Sequence, residues 1–297
     1  MKKKNVVCIL EGLGNQMFQY AFAKSLEIHT ERNVYIDAES LRKKKIGDNL
    51  SSPTVREYEL DYFNISLKQV NETIRCLWNY TRGDKWYHEI IKMLNEYGIY
   101  PYKYFSQKNF KDISLMNPPF DKIEANTYIK GWFQTEEYFI DIREILLKEF
   151  QPKKSISIPS SILKAILDNK SVSIHIRRGD FKRGKLVLDK SYYEMARGEI
   201  YTRISKPVWI VFSDEISFVK ENYDFKGEVI FIDESYKLKD YEQLILMSMC
   251  SHNIIANSTF SWWGAWLNQN ENKYIIAPAK KWGINQKNIV PLDWIKI

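Results

Sequence analysis

The residues best suited to chemistry stand in four short clusters. His175-Ile176-Arg177-Arg178-Gly179-Asp180 closes the strand-like run SVSIHI (Ser171–Ile176). Side chains alternate along a strand, so His175 and Arg177 share one face, Ile176 and Arg178 the other. An arginine aimed into a crevice grips a diphosphate through two parallel hydrogen bonds, and its charge does not titrate away. Arg178 then pairs with an acid of the scaffold. Each residue also has a plainer reading: two surface arginines, a Gly-Asp turn fixed by Asp180, and a satisfied buried histidine at 175.

The second cluster is Asn257-Ser258-Thr259-Phe260-Ser261, between the run HNIIAN and the helical SWWGAWLNQ. Hydroxyls and backbone N–H groups at a helix start suit phosphate oxygens, and Phe260 suits stacking on a base or sugar. Simple capping by Ser258 or Ser261 is the other reading. Trp262, Trp263 and Trp266 read as core. The third cluster is Asp214, after VWIVFS, placed to accept from a guanine edge or a ribose, or else to cap the next helix.

The fourth is the turn Gly12-Leu13-Gly14-Asn15, after NVVCIL. It opens like a nucleotide-binding turn, and Asp37, ending a second strand, suits a ribose hydroxyl. A dinucleotide fingerprint needs a third glycine where this chain has Met17, which argues against NAD. The plainer reading is a tight turn with Asn15 capping the helix. Nothing advertises a metal: there is no Asp-x-Asp, and His29, His88 and His252 lack ligand spacing. There is no P-loop.

Around these clusters the chain alternates strand and helix. NVVCIL, a helix from Asn15 and NVYID (Asn33–Asp37) begin a βαβ unit. Trp86–Gly98 reads as a helix, Thr127–Phe133 as a strand and turn, and Gln134–Phe150 as one amphipathic helix. QPKKSISIPSS (Gln151–Ser161) reads as the linker, giving domains 1–152 and 153–297. Beyond it come strands SVSIHI, VWIVFS, EVIFID, HNIIAN and KYIIAP, with helices Ser191–Ile204, Glu215–Tyr223, Asp240–Cys250 and Ser261–Gln269 between them. Such alternation predicts an α/β fold with parallel sheets covered on both faces, and ligands beyond the carboxyl ends of strands.

The 297 residues, 44% hydrophobic and 27% charged, suit two α/β domains. Three scattered cysteines argue against a disulfide framework and for a reducing cytoplasm. A net charge of +7 favours anionic ligands without implying nucleic acid. Lys2–Lys4 reads as a solvated N-terminus and Arg42–Lys45 as a loop, with peripheral contact to an anionic inner leaflet as the second reading of both. No apolar run reaches the roughly 18 residues of a membrane span. A soluble cytoplasmic protein is the expectation.

Taken in order, GLGNQMFQYAFAKSL, GWFQTEEYF, HIRRGDF, VFSDE and NSTFSWWGAWL resemble the α-1,2-fucosyltransferases of bacteria and animals. The resemblance implies a GT-B-like fold, two Rossmann-like domains facing across a cleft, with the acceptor on the N-terminal side and the GDP-sugar on the C-terminal side. It implies inverting transfer of L-fucose from GDP-β-L-fucose to the 2-hydroxyl of a terminal galactose, without metal or other cofactor. The acceptor would be a free or lipid-linked oligosaccharide in O-antigen or capsule synthesis. Arg177 would hold the diphosphate. His175 and Asp214 would lie near the guanosine, and Ser258, Thr259 and Phe260 along phosphates and base. Gly12, Gly14, Asn257, Ser261 and Arg178 would complete the binding set. Asn15 would reach the fucose or leaving group, and Asp180 is the first candidate for the base. The chain departs from the common Gly-Gly-Leu-Gly-Asn-Gln in having Glu11, which argues against Glu11 as an obligatory base. Another GDP-sugar transferase, an NAD-dependent oxidoreductase and a non-catalytic carbohydrate- or peptide-binding protein on the same fold are the competing functions.

Overall fold

The computed structural model describes residues 3–42, 56–76, 78, 90, 93–94, 97, 101–107, 120–184, 186–280, 282 and 288–297. Lys2, Lys43–Lys45, Trp86, His88 and most of the stretch read as a helix over Trp86–Gly98 lie outside them. The chain divides into two compact units, Met1–Lys153 and Lys154–Ile297.

Among the described residues the first unit holds five strands: β1 (Lys4–Cys8), β2 (Asn33–Asp37), β3 (Lys68–Gln69), β4 (Lys103–Ser106) and β5 (Thr127–Lys130). Their order is β3-β2-β1-β5-β4, and every pairing is parallel. Central β1 is apolar because it is covered on both faces; Val6 and Val7 are fully buried. Helix Leu13–Thr30 carries the chain from β1 to β2 and is buried around most of its girth, so it reads as apolar rather than as a narrow stripe. It stops at Glu31, whose φ of 52° is left-handed. Chain order reverses between β1 and β5, which makes the gap beyond their carboxyl ends the switch point of this sheet.

The second unit holds β6 (Ser171–Ile176), β7 (Val208–Ser213), β8 (Val229–Ile232), β9 (His252–Ile254), β10 (Ile275–Ala277) and β11 (Ile295–Lys296). The order is β11-β10-β9-β6-β7-β8, again all parallel. Its switch point lies between β6 and β9. Alternation sends Val172, Ile174 and Ile176 with Trp209 and Val211 to one face, under Tyr193 and Ile200. Ile210 and Phe212 go to the other face, with Leu246 and Met247. Helix Thr259–Trp266 crosses helix Asp240–Met249 at Gly264, where a Cβ would lie 2.9 Å from the Cβ of Met247. Trp262, Trp263 and Trp266 are core, as their spacing predicts.

Three expectations need correction. Gln134–Phe150 is not one helix but two 3-10 turns, Glu136–Tyr138 and Ile140–Ile142, followed by an α-helix over Arg143–Glu149. The break is at Phe139, drawn to φ −150° and fully buried against Phe18, so packing overrides propensity there. The linker segment ends in structure, because a helix already begins at Ser160. Asn15 does not cap its helix: Gly12 is the capping residue, without a side-chain bond. No helix among the described residues is long and apolar enough to cross a membrane.

Candidate functional site

In the second unit the four-residue segment after β6 and the two residues after β7 lock together. Arg177 Nη2 donates to Asp180 Oδ1 at 2.7 Å, and Nη1 lies 3.0 Å from Asp214 Oδ2. Asp214 Oδ1 accepts from the backbone N–H of Arg178 at 3.0 Å. Asp214 therefore clamps the turn instead of capping the next helix, which has no side-chain cap. Gly179 permits this: a Cβ there would lie 2.5 Å from Asp214 Oδ2. Arg178 turns away to the scaffold. Its Nε donates to Glu215 Oε2 at 3.0 Å, and its guanidinium lies 3.4 Å from the ring centre of Phe218. Glu215 also pairs with Lys182, and these two cations, Lys182 first, hold its carboxyl below the usual range. Three cations thus face three carboxylates in one small area.

A guanidinium has five N–H donors in a fixed plane. Two of those on Arg177 meet carboxylates here, so the fork is already oriented before it meets any anion. His175 sits beneath, 4% exposed, its ring centre 5.7 Å from that of Phe260. Burial, with the nearby Arg177 charge, pushes its pKa down to about 3. It is a neutral imidazole at physiological pH, and its Nδ1 is buried without a hydrogen-bond partner among the described residues.

Across the switch point from β6, the segment after β9 supplies the hydroxyl turn. Ser258 Oγ accepts from Phe260 N at 3.3 Å and caps the helix. Ser261 is buried and donates back to Ser258 O at 3.4 Å, and Asn257 Nδ2 donates to Leu186 O at 2.8 Å. Thr259 and Phe260 are half-buried. Glu215, the last residue of VFSDE, is the scaffold acid expected for Arg178, and Lys182, which has no motif spacing of its own, is what sequence reasoning missed.

In the first unit the turn after β1 meets the turn after β5. Glu11 stands at φ 66°. Its Oε2 accepts from Asn15 Nδ2 at 2.5 Å and its Oε1 from Trp132 Nε1 at 3.0 Å. Asn15 Oδ1 accepts from Gln134 Nε2 at 2.6 Å. Gln16 Nε2 donates to the carbonyls of Glu11 and Glu57, at 2.8 and 2.7 Å. Gln19 accepts from Leu10 N and donates to Gly131 O, at 2.8 and 3.0 Å. Buried Gln19 thus staples the segment after β1 to the turn after β5, and buried Gln16 ties the first turn to residues 57–59. Gly12 lies flat under Arg56, whose Nη1 would be 3.6 Å from an added Cβ; Gly14 is buried in the first helical turn. Of this group, sequence reasoning had Gly12, Gly14 and Asn15. Trp132 reads from the sequence, with Trp78 and Trp86, either as a sugar-stacking platform or as core, and Gln134 is visible only as part of GWFQ.

The acid that suited a nucleotide ribose is engaged within the fold. Asp37 is buried, accepts from Tyr128 Oη at 2.8 Å and from Glu39 N at 3.1 Å, and lies 3.6 Å from Arg75 Nε. Among the described residues no group of three or more His, Cys, Asp or Glu is placed to hold a metal ion.

The chain is similar to several known proteins. The O-antigen biosynthesis glycosyltransferase WbnK of Escherichia coli is 30% identical over 98% of this chain and 99% of its own. An alpha-1,2-colitosyltransferase of the same organism is 27% identical over 96% of each. Among solved structures, Arabidopsis thaliana FUT1 in complex with GDP shares the fold at TM-score 0.55 and 14% identity, over 98% of this chain and 75% of that one. It is a GT-B fucosyltransferase, and parallel, helix-flanked sheets of that kind build both units here. With residues 2–297 matching throughout, the chain belongs to glycosyl transferase family 11.

Proposed function

We propose that this glycosyltransferase moves L-fucose from GDP-β-L-fucose, with inversion, to the 2-hydroxyl of a terminal galactose during assembly of a surface glycan. The observation that carries the reading is the Arg177 fork, pre-oriented by Asp180 and Asp214 at the end of β6, beside the hydroxyl turn after β9. A departing diphosphate gains charge as the sugar–oxygen bond breaks. Fixed donors aimed at that charge act where it develops, and this electrostatic effect is commonly the largest single contribution to such a reaction. The remaining N–H groups of Arg177 and the backbone donors of Ser258 and Thr259 supply such a set, the Phe260 N–H being bonded to Ser258 Oγ. His175, neutral and buried, offers a hydrogen bond without a competing charge. Asp180 orients the fork and is the proposed acceptor of the hydroxyl proton. The O-antigen role comes from the name of one full-length relative, and the α-1,2 linkage from another and from the mammalian galactoside 2-alpha-L-fucosyltransferases.

The colitosyltransferase relative supports a second reading, in which the donor sugar is colitose, the 3-deoxy counterpart of L-fucose. A site built to hydrogen-bond a sugar hydroxyl rejects the analogue lacking it, so the two donors are separable in one assay. The test is incubation with GDP-fucose and, separately, GDP-colitose, against a panel of galactosides with EDTA present, reading the product linkage by NMR. An α-1,2-fucosyl galactoside is the expected product. Colitosyl product alone would replace the donor assignment, and silence until a divalent ion is added would overturn the metal-free reading.

A further inference from the structure

The first unit contains a polar chain that the diphosphate chemistry does not use. Glu11 holds the left-handed conformation, φ 66°, that a glycine adopts without penalty. Strained backbone of this kind persists where surrounding contacts hold it, and it concentrates at functional sites. The contacts here are the two carboxylate bonds, to Asn15 Nδ2 and to Trp132 Nε1, and the bond from Gln16 Nε2 to the Glu11 carbonyl. The Trp132 bond joins the turn after β1 to the turn after β5, at the switch point of the first sheet.

A carboxylate only accepts. Glu11 therefore sets the direction of the whole chain: the Asn15 nitrogen must face Glu11, so the Asn15 oxygen faces Gln134, whose nitrogen donates to it at 2.6 Å. The Asn15 nitrogen keeps a second hydrogen to present. Trp132, half-buried, is held through the single polar atom of its side chain, which fixes the plane of its ring. A ring fixed in that way beside an oriented amide is a platform for a pyranose, with one face for stacking and one donor for a hydroxyl.

We propose that Glu11 is a positioning residue for the transfer reaction, holding the Trp132 indole and the Asn15 amide so that they seat the acceptor sugar. This rests on the glycosyl-transfer reading above. Glu11→Gly removes the carboxylate and relieves the backbone. Glu11→Gln keeps the size but turns an amide donor toward one of the two donors. Each variant is compared with the wild type for thermal midpoint, GDP affinity by calorimetry, and kcat and KM for donor and acceptor separately, using GDP-fucose and a β-galactoside. The expected result is a midpoint for Glu11→Gly at or above wild type, unchanged GDP affinity and donor KM, and acceptor kcat/KM lowered on the order of tenfold to a hundredfold in both variants.

Acceptor kcat/KM within about twofold of wild type in both variants would overturn the proposal. So would a lowered midpoint with donor and acceptor constants moving together, which is the signature of a purely structural contact. If the wild type transfers another sugar, the donor assignment falls, and the same comparison is made with that donor. The two readings thus fail separately.

Discussion

At the scale of single residues, the guanidinium of Arg177 joins two carboxylates on adjacent strand ends, and one ammonium cannot reproduce that fork. Arg177→Lys is expected to keep the fold and lose about a hundredfold or more in kcat, the size of effect seen when one pre-aimed donor is removed from a developing oxyanion. Turnover near wild type would remove Arg177 from the diphosphate site. His175 gives a prediction about stability instead. Its pKa is about 3 in the folded chain, lowered by burial first and by Arg177 second, against 6.5 for the free side chain. Between those values the unfolded chain binds the extra proton, so stability is full above about pH 6.5 and falls as pH drops toward 3. The slope is about 1.4 kcal/mol per pH unit while the difference of one proton lasts. His252, also lowered by burial, adds in the same direction. Thermal midpoints of wild type and His175→Asn between pH 7.5 and 4.5 check this, and the variant should show the shallower acid limb. Parallel curves would mean that His175 does not stay neutral in the folded chain.

Two glycines decide how neighbouring elements approach. Gly179→Ala would put a methyl carbon 2.5 Å from Asp214 Oδ2, so the clamp on Arg177 and on the Arg178 amide must open. The expected cost is about 1–3 kcal/mol of stability, as for other overpacked sites. Because the displaced group orients Arg177, GDP affinity should fall as well. A stable variant with wild-type GDP affinity would show that Asp214 is not needed for the fork. At Gly264, two effects compete. Alanine in a helix interior gains about 1 kcal/mol over glycine, while overlap at 2.9 Å with the Cβ of Met247 costs about 1–3. Backbone-bound Cβ atoms yield little, so Gly264→Ala should lower the thermal midpoint, and a rise would mean that the two helices slide apart easily. This scale also explains what the sequence made legible. The buried strands and the helices between them were readable because unbroken apolar runs alternated with helical spacing. HIRRGD and NSTFS stood out because polar residues followed such runs directly. The two-residue strand β3 carries no periodicity to read, and the break at Phe139 comes from burial against a helix more than a hundred residues earlier. The pairing of Glu215 with Arg178 and Lys182, and of Glu11 with Trp132, arises only when separate strand ends meet.

For the whole molecule, each unit closes its own sheet. In the second, the strand pairings among the described residues lie within residues 154–297, and the two apolar layers that cover the sheet come from the same stretch. Arg177, Asp180, Asp214 and the turn from Asn257 to Ser261 belong to that unit, whereas Glu11, Asn15, Trp132 and Gln134 belong to the other. If the nucleotide is held by the second set, a fragment of residues 154–297 should unfold cooperatively and bind GDP with nearly the affinity of the full chain. At a hundred times the dissociation constant GDP would stabilise it by about 2.7 kcal/mol. The same fragment should transfer no sugar, because the groups proposed to seat the acceptor are missing. Thermal scans of the fragment and of the full chain with GDP measure the first part, and a product assay the second. A folded fragment that ignores GDP would place nucleotide recognition on residues of the first unit. That outcome would put the Gly12–Asn15 turn, which opens like a nucleotide-binding turn, at the centre of donor binding.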